Sequence, residues 1–449
     1  MALTGLDIYK NLPKTNCKEC GAPTCLAFAM KVAAKQVALD ACPHLDDAAS
    51  AALGEASAPP QRLIAIGDDD ATREIGQETV LFRHEETFYH PTVVAVSVSD
   101  SLDAAAITER CAAIKALSFE RVGTVISPDA VAIENTSGDP ATFAAAAAEV
   151  AKHLDCAALL VSTSADAVKG VCTGSGPYAG KKPLICGADA SNLDAMAAVA
   201  KEASCPLCIT EADLDKLAEL TEQAKAAGVE DLVISPGAQP FAKELDFLTR
   251  TRRAALKKTF RPLGFPVLIT ARNDDARQAT AEAAACLAKY AGVVVIDTVD
   301  PAHVVALLTT SQNIYTDPQK PVQVEAKVYE INDPGPDAPL LITTNFSLSY
   351  YSVEGEVDAS RVPARILAVD TEGTSVLTAW AADKFNPITI AEAIKTSGLE
   401  ETMSEKTCIV PGYVAVITAG VKEESGWEVL VGPKEASGIG PFLKKMSLA

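Results

Sequence analysis

The sequence predicts an α/β protein with three parts: a small cysteine-rich N-terminal segment, a central (β/α)8 TIM barrel and a C-terminal α/β domain. Between residues 90 and 315, eight short apolar runs alternate with longer alanine-rich stretches of helical pattern, which is typical of a parallel sheet surrounded by helices. After a break at residues 316–321, apolar strand candidates alternate with turns rich in Gly, Thr and Ser. We therefore expect domains at residues 1–58, 59–320 and 321–449.

The N-terminal segment holds four closely spaced cysteines: Cys17, Cys20, Cys25 and Cys42. Their spacing is C-x2-C-x4-C, followed by sixteen residues and a Cys-Pro pair. The chain opens without an apolar signal segment, so we expect a cytoplasmic protein whose thiols stay reduced. Structural zinc usually takes two separated C-x2–4-C pairs, and only one such pair is present in this segment. The spacing favours a cubane iron–sulfur cluster instead, with zinc and unliganded thiols as the alternatives.

A short scaffold surrounds these cysteines. Residues 26–39 have the pattern of a short amphipathic helix, and residues 54–61 have the composition of a linker. A segment this small would be marginally stable without a bound metal. We therefore expect it to fold around its cluster.

The eight apolar runs of the barrel are almost continuously hydrophobic, as expected for parallel strands buried on both faces. They are Val93–Ser99, Ala130–Glu134, Leu159–Ser162, Leu184–Cys186, Leu207–Thr210, Leu232–Ser235, Val267–Thr270 and Val293–Asp297. The intervening helical stretches include Leu102–Leu117, Pro140–His153, Asn192–Ala203, Leu214–Ala227 and Ala276–Ala291. An open doubly wound sheet is the alternative, but no G-x-G-x-x-G motif follows any strand.

Two features of the barrel bear on chemistry. Acidic and polar residues end five strands, where barrel enzymes keep catalytic groups. These residues are Glu134, Asp189, Glu211, Arg272 and Asp297. Cys205 and Cys208 form a second C-x2-C pair, but they lie in an apolar run, so we expect two small core residues rather than a second metal or redox site.

The C-terminal domain combines strands with three polar turns. The strand candidates are Val322–Tyr329, Leu340–Thr343, Ile366–Val369, Ile409–Val410, Val414–Ile417 and Glu428–Val431, and the region 381–397 includes a helix. The turns at 343–355, 370–376 and 432–440 each follow a strand, and ligands of α/β sheets bind at the carboxyl ends of strands. Glycines in two of these turns would let the backbone approach a flat ligand closely. Ordinary turns remain the alternative for each loop.

The net charge of −20 and the pI near 4.7 exclude two classes of partner. Nucleic acids and anionic membranes both require a basic surface. No stretch of the sequence has the length and hydrophobicity of a transmembrane helix.

Three motifs together carry a resemblance to a known family. They are N-C-K-E-C-G-A-P-T-C at residues 16–25, T-T-N-F-S-L-S-Y-Y-S-V-E-G-E at residues 343–356, and G-W-E-V-L-V-G-P-K-E-A-S-G-I at residues 426–439. The chain resembles the large (gamma) subunit of the corrinoid iron–sulfur protein of the reductive acetyl-CoA pathway. This resemblance implies a [4Fe–4S] domain, a central barrel and a C-terminal corrinoid (cobamide)-binding domain.

The resemblance also implies which residues hold the cofactors. Cys17, Cys20, Cys25 and Cys42 match the cluster ligands. The positions that match the corrinoid pocket are Thr343, Asn345, Ser349, Gly373, Thr374, Ser375, Val376, Gly432, Pro433, Ala436 and Gly438. We expect residues 373–376 to pass beneath the corrin ring, with Thr374 close to cobalt but not bonded to it. No catalytic residue is assigned, because the barrel of this family is implied to dock partners.

The implied function is that of a methyl carrier rather than a stand-alone enzyme. Cobamide cobalt would accept methyl from methyltetrahydrofolate through a methyltransferase and donate it to acetyl-CoA synthase, and the cluster would return Co(II) to Co(I). The implied partners are the small subunit, as a heterodimer, the methyltransferase, acetyl-CoA synthase, and a ferredoxin-type or ATP-dependent reductive activator. The alternatives are a ferredoxin-linked barrel oxidoreductase and an electron-entry or structural subunit without corrinoid.

One departure from many other cobalamin proteins is visible. The sequence has no D-x-H-x-x-G motif, and no histidine follows His303. The C-terminal domain therefore cannot supply an imidazole ligand to cobalt.

Overall fold

A computed structural model describes residues 5–33, 37, 41–45, 59–121, 124–316 and 321–446. It divides into two compact units. The first contains the described residues of 1–117 and 127–315, and the second those of 118–126 and 316–449. No helix in the described part of the chain is long and apolar enough to cross a membrane.

The described part of the N-terminal segment contains two short helices, α1 (Gly5–Lys10) and α2 (Cys25–Ala33). Helix α2 begins where Thr24 Oγ1 accepts a hydrogen bond of 3.1 Å from the N–H of Ala27, as an N-terminal cap does. Phe28 and Ala29 are buried on the inner face of this helix. The predicted helix over residues 26–39 is therefore found as far as Ala33, and most of its remainder lies outside the described residues, as do residues 54–58 of the predicted linker.

The central part is a closed barrel of eight parallel strands, as predicted. Its strands are β3 (Val93–Ser99), β6 (Ala130–Glu134), β7 (Ala157–Val161), β8 (Leu184–Ala188), β9 (Leu207–Thr210), β10 (Leu232–Ser235), β11 (Val267–Ala271) and β12 (Ala291–Ile296). Its helices are α3 (Ala104–Ala116), α4 (Pro140–His153), α5 (Ala165–Cys172), α6 (Leu193–Ala203), α7 (Leu214–Ala226), α8 (Phe241–Lys258), α9 (Ala276–Ala288) and α10 (Pro301–Tyr315). Strand β12 pairs with β3, which closes the barrel.

Local sequence fixes where several barrel helices begin. The side chains of Asp103, Asp139, Ser164, Asp213 and Asp275 each accept a hydrogen bond from a backbone N–H in the first turn of the helix that follows. Such caps satisfy N–H groups that have no partner within the helix.

A hairpin not predicted from the sequence precedes the barrel. Strands β1 (Leu63–Ile66) and β2 (Arg73–Gly76) pair in antiparallel fashion. Their buried isoleucines, Ile64, Ile66 and Ile75, pack in one core with the first residues of β3, β6, β7 and β8. The hairpin therefore covers the amino-terminal end of the barrel.

The second unit contains a five-stranded sheet in the order β13–β15–β14–β16–β17. The strands are β13 (Val328–Ile331), β14 (Leu340–Thr344), β15 (Ala364–Val369), β16 (Thr407–Val410) and β17 (Glu428–Val431), and only β13 is antiparallel. The helices are α11 (Ser347–Ser360), α12 (Val376–Ala381), α13 (Pro387–Thr396), α14 (Leu399–Thr402), α15 (Thr418–Ser425) and α16 (Ile439–Met446). From β14 the chain continues to β15 on one side and later to β16 on the other. The carboxyl ends of β14 and β16 therefore form a topological switch point, the usual ligand crevice of an open α/β sheet.

A second hairpin, β4 (Phe119–Arg121) with β5 (Thr124–Ile126), belongs to this unit although it lies between α3 and β6 in the chain. This hairpin was not predicted from the sequence. Its residues are half-buried or exposed and too few to give a periodic pattern.

Three predictions for the second unit were wrong. The strand expected at 322–329 begins only at Val328. The strand expected at 414–417 lies instead in a 3₁₀ segment over Gly412–Ile417 that is kinked at Val414, with Val414 and Ile417 buried and Val416 exposed. The turn expected at 343–355 is mostly helix α11, which buries Tyr350 and Val357. Its Ser and Tyr residues have low helix propensity, and tertiary packing overrides that preference.

Candidate cofactor sites

The four N-terminal cysteines share one small region. All four are free thiols; Cys25 and Cys42 are buried, and Cys17 and Cys20 are half-buried. Cys20, Cys25 and Cys42 pack in the same apolar core around Phe28. Free thiols gathered at the edge of a small core provide the donor set that an iron–sulfur cluster requires.

The loop that carries the first cysteines is tightly constrained. Lys14, Asn16 and Lys18 all have left-handed backbone conformations, with φ of 58°, 52° and 67°. Such conformations cost about 1–2 kcal/mol for each non-glycine residue and concentrate at ligand sites. Asn16 Oδ1 accepts a hydrogen bond of 2.8 Å from the N–H of Cys25, and the N–H of Asn16 points at Cys25 Sγ at 3.4 Å. An N–H aimed at sulfur stabilises a thiolate, which is the form that binds metal.

His44 lies at the exposed side of this region. Its Nε2 is 2.9 Å from Glu19 Oε2, and both side chains are about half exposed. Ligand atoms of His44, Glu19 and Cys17 all lie within 4.8 Å of one another. The observed partner of the imidazole is therefore a carboxylate at the surface.

A cavity of about 310 Å³ opens at the switch point of the C-terminal sheet. Its buried end is apolar and is formed by Leu341, Ile342 and Ile409, each less than 5% exposed. Its exposed end carries Tyr413 and Lys434. The volume lies near the lower limit for sites that enclose drug-sized ligands. The cavity can therefore enclose only a part of a ligand as large as a corrinoid.

The structure brings seven of the eleven predicted pocket residues together in this cavity. They are Thr343, Ser349, Ser375, Val376, Gly432, Pro433 and Ala436. The other four, Asn345, Gly373, Thr374 and Gly438, do not line it. Thr374 Oγ1 donates a hydrogen bond of 2.8 Å to the carbonyl of Thr371, so its hydroxyl is engaged within its own turn.

Asn345 is buried and holds the adjacent loops together. Its Oδ1 accepts hydrogen bonds from the N–H of Thr371 at 3.0 Å, the hydroxyl of Thr371 at 3.1 Å and the N–H of Gly373 at 3.0 Å. Its Nδ2 donates to Gln323 Oε1 at 2.9 Å and to Asp370 Oδ1 at 3.0 Å. Every hydrogen-bonding site of this amide has a protein partner. Asn345 therefore positions the 370–376 loop.

Gly373 is explained by its own turn. Its φ is +71°, and an added Cβ would lie 2.9 Å from Gln323 Cγ and 3.1 Å from the carbonyl oxygen of Pro321. A side chain at this position would therefore point toward Gln323 and Pro321. The turn itself explains the glycine, so the close approach of a flat ligand is not needed to explain it. Gly432 differs because it lines the cavity, where an added Cβ would approach Ile409 Cγ2 to 2.9 Å.

The apolar end of the cavity and its charged residues were not predicted from the sequence. Leu341, Ile342 and Ile409 belong to ordinary buried strands, and no local signal distinguishes them from other core residues. Lys434 and Glu435 lie within the 426–439 motif but were not singled out. Tyr413 donates a hydrogen bond from its hydroxyl to Glu435, which links the two loops at the exposed end.

The polar strand ends of the barrel form internal pairs. Arg272 is hydrogen-bonded to Glu134. Asp297 Oδ1 accepts hydrogen bonds from Ser97 Oγ at 2.8 Å and from Arg110 Nη2 at 2.5 Å. Each of these two carboxylates is thus neutralised by an arginine of the same barrel.

The second C-x2-C pair lies in the barrel core, as expected. Cys205 and Cys208 are 5% and 1% exposed. They do not pair with each other: a hydrogen bond with Cys172, together with burial, raises the pKa of the Cys205 thiol, and Cys208 lies beside Cys186 on the next strand.

Comparison with known proteins identifies relatives along the whole chain. The family model of the CO dehydrogenase/acetyl-CoA synthase delta subunit matches residues 63–443, and a model of iron–sulfur (Fe-S) cluster segments matches residues 12–44. The corrinoid/iron-sulfur protein large subunit of Moorella thermoacetica is 43% identical over 99% of this chain and 99% of its own length. The acetyl-CoA decarbonylase/synthase complex subunit gamma of Methanothermobacter thermautotrophicus is 34% identical over the full length of both chains. The corresponding subunit of Methanopyrus kandleri is 32% identical over 99% of this chain and 98% of its own.

Proposed function

This chain belongs to the corrinoid/iron–sulfur protein large-subunit family, and from that premise we propose that it is a methyl carrier of the acetyl-CoA pathway. Its cofactors are an iron–sulfur cluster and a corrinoid. When bound, the corrinoid supplies the cobalt that receives methyl from methyltetrahydrofolate through a methyltransferase and gives it up to acetyl-CoA synthase, and the cluster supplies the electron that returns Co(II) to Co(I).

The cavity at the switch point supports the proposal that the corrinoid binds there. Seven residues predicted from the resemblance meet there, at or just after the carboxyl ends of β14, β15 and β17. The cavity is too small for the macrocycle, and its buried end is apolar. We propose that the ring lies over the exposed end, against Ser375 and Val376, and that the lower base of the cobamide occupies the apolar interior beside Ile342 and Ile409.

The chain leaves cobalt without an imidazole from this domain, because no histidine follows His303. Each axial donor favours the higher oxidation states of a metal, so a site with few donors makes Co(I) less unfavourable. The hydroxyls of Thr343 and Ser349 can meet the amide side chains at the edge of the ring. The role of the protein is thus to hold and shield the cofactor.

We propose that Cys17, Cys20, Cys25 and Cys42 ligate the cluster. This proposal is supported by their free thiols, by the core that Cys20, Cys25 and Cys42 share, and by the strained loop that carries Cys17 and Cys20. The cluster type that the spacing favours is [4Fe–4S].

The relatives also indicate the partners. One is named the large subunit of its protein, and the others are subunits of an acetyl-CoA decarbonylase/synthase complex. We propose a small subunit, a methyltransferase, acetyl-CoA synthase and a reductive activator as partners. The alternative of an electron-entry subunit without corrinoid is wrong, because the family is one of corrinoid proteins. A barrel oxidoreductase is disfavoured, because Glu134 and Asp297 at the strand ends are each paired with an arginine.

The proposal is tested by the visible spectrum of the anaerobically purified, reduced holoprotein. The corrinoid bands should shift when methyltetrahydrofolate and its methyltransferase are both added, and should not shift when either is left out. An unchanged spectrum with both present, in protein that contains cobalt and iron, would remove the methyl-carrier function.

A further inference from the structure

The wall of the switch-point cavity contains one positive side chain that forms no ion pair within the described chain. Lys434 and Glu435 are the charged residues among those that line the cavity. Glu435 accepts a hydrogen bond from the Tyr413 hydroxyl. Lys434 Nζ lies 6.0 Å from the centre of the Tyr413 ring and has no hydrogen bond or ion pair with any residue of the described chain. A cation is thus available to a ligand at the exposed end of the cavity, beside a carboxylate that already accepts a hydrogen bond from Tyr413.

The backbone around Lys434 is held firmly. The N–H of Gly412 donates a hydrogen bond of 3.0 Å to the carbonyl of Pro433. The two loops pack so closely that a Cβ added to Gly412 would lie 2.9 Å from the backbone nitrogen of Lys434. The position from which this side chain extends is therefore fixed by the fold, although its end is exposed.

The chemistry of a complete cobamide matches this arrangement. Its corrin ring carries neutral amide side chains, whereas the nucleotide loop that joins ring to lower base contains an anionic phosphodiester. A base in the apolar interior and a ring at the exposed end would bring the connecting loop past the wall between them. We propose that Lys434 binds the phosphodiester of the nucleotide loop, and so makes this protein selective for complete cobamides over corrinoids that lack the loop. This inference rests on the proposed corrinoid site.

The test compares two corrinoids on the full-length chain freed of corrinoid under anaerobic conditions. Cobalamin contains the nucleotide loop, and cobinamide has neither phosphodiester nor base. Binding of each is followed by visible titration at two salt concentrations. Lys434→Ala should bind cobalamin roughly three- to tenfold more weakly than the wild type, with a smaller salt dependence, and should bind cobinamide as the wild type does. Lys434→Arg should retain most of the affinity for cobalamin.

Lys445→Ala is the matched control, because it removes the same charge from an exposed helical position outside the cavity. It should bind both corrinoids as the wild type does. An equal loss for cobalamin and cobinamide in Lys434→Ala, or no loss for either, would overturn the role of Lys434 and leave the corrinoid site intact. Failure of the wild type to bind either corrinoid would instead overturn the site itself.

Discussion

The N–H of Gly373 donates a hydrogen bond of 3.0 Å to Oδ1 of Asn345, which lies directly after strand β14. This bond joins the residue that follows β14 to the turn that follows β15. It gives both predicted pocket residues a structural role, although neither lines the cavity. The side chain of Asn345 anchors the 370–376 loop, and Gly373 belongs to the turn that it holds.

We predict that Asn345→Ala will release the 370–376 loop. The change removes the partners of the N–H groups of Thr371 and Gly373, and buried groups without partners cost about 1–3 kcal/mol each. Denaturant unfolding should show a loss of about 2–4 kcal/mol in the C-terminal unit, and corrinoid affinity should fall at least about tenfold. Asn273→Ala, an exposed change at the barrel, is the control and should alter neither. Full corrinoid affinity in Asn345→Ala would show that the loop does not depend on this anchor.

A pair of glycine substitutions separates a required glycine from a dispensable one. Gly373→Ala should destabilise the protein by about 1–3 kcal/mol, because the residue has φ of +71° and its new methyl group would crowd Gln323. Gly355→Ala lies inside helix α11 with open space around it, and should stabilise that helix by about 1 kcal/mol. Urea unfolding of both variants provides the comparison. Equal effects of the two changes would contradict the assigned role of the turn.

Sequence periodicity predicted the barrel well and the C-terminal unit less well, for a physical reason. Barrel strands such as β6 are buried on both faces, so an unbroken apolar run suffices to identify them. Segments such as 412–417 contain the same apolar residues in a kinked 3₁₀ segment, which buries Val414 and Ile417 and exposes Val416. An apolar run of that length does not distinguish the two conformations.

The residues of the candidate sites also differ in how far the sequence predicts them. Spacing alone indicated the predicted cluster cysteines, because a cubane iron–sulfur cluster requires four thiolates close together. The role of Asn345 was not predictable, because its partners are 22 to 28 residues away in sequence. The apolar end of the cavity gave no signal, since Ile342 and Ile409 look like any other core residue. Only the fold brings such residues to one place.

We predict that Cys20→Ala will lose cluster iron while the corrinoid remains bound. Iron and cobalt analysis of the anaerobically purified variant should show iron well below the wild-type content and unchanged cobalt. Cobalt that is already reduced should still accept methyl, but reactivation after oxidation should fail with the usual electron donor. The control is Cys286→Ala, which removes a fully buried thiol of helix α9 and should keep the wild-type iron content. Normal reactivation of Cys20→Ala would contradict the role given to the cluster.

The stability of the barrel should depend on pH through Glu244. Burial raises the pKa of this carboxyl to about 7. A hydrogen bond from the backbone of Gln239 lowers the pKa, and the negative charge of Glu282 raises it further. Between its ordinary value of 4.5 and about 7, the folded state holds a proton that the unfolded chain has released. The free energy of unfolding therefore decreases as pH rises through this window and is insensitive to this group above it.

Glu244→Gln removes the ionisable group and should reveal this effect. Relative to the wild type, the free energy of unfolding of the variant should be little changed at pH 4.5 and higher by up to about 3 kcal/mol at pH 8. Denaturant unfolding across that pH range measures the difference. Glu219→Gln on the exposed face of helix α7 should not reproduce this dependence. A gain that is the same at every pH would show that ionisation of Glu244 is not its cause.

The most direct test of the methyl-carrier function follows a labelled methyl group through the protein. Reduced holoprotein, with its small subunit, is incubated with ¹⁴C-methyltetrahydrofolate and the methyltransferase, isolated by gel filtration, and then mixed with acetyl-CoA synthase, carbon monoxide and coenzyme A. Our account predicts label on the isolated protein in a ratio of about one per cobalt, followed by its transfer to acetyl-CoA. Label that never appears on the protein, or that stays there when acetyl-CoA synthase and its other substrates are present, would contradict it.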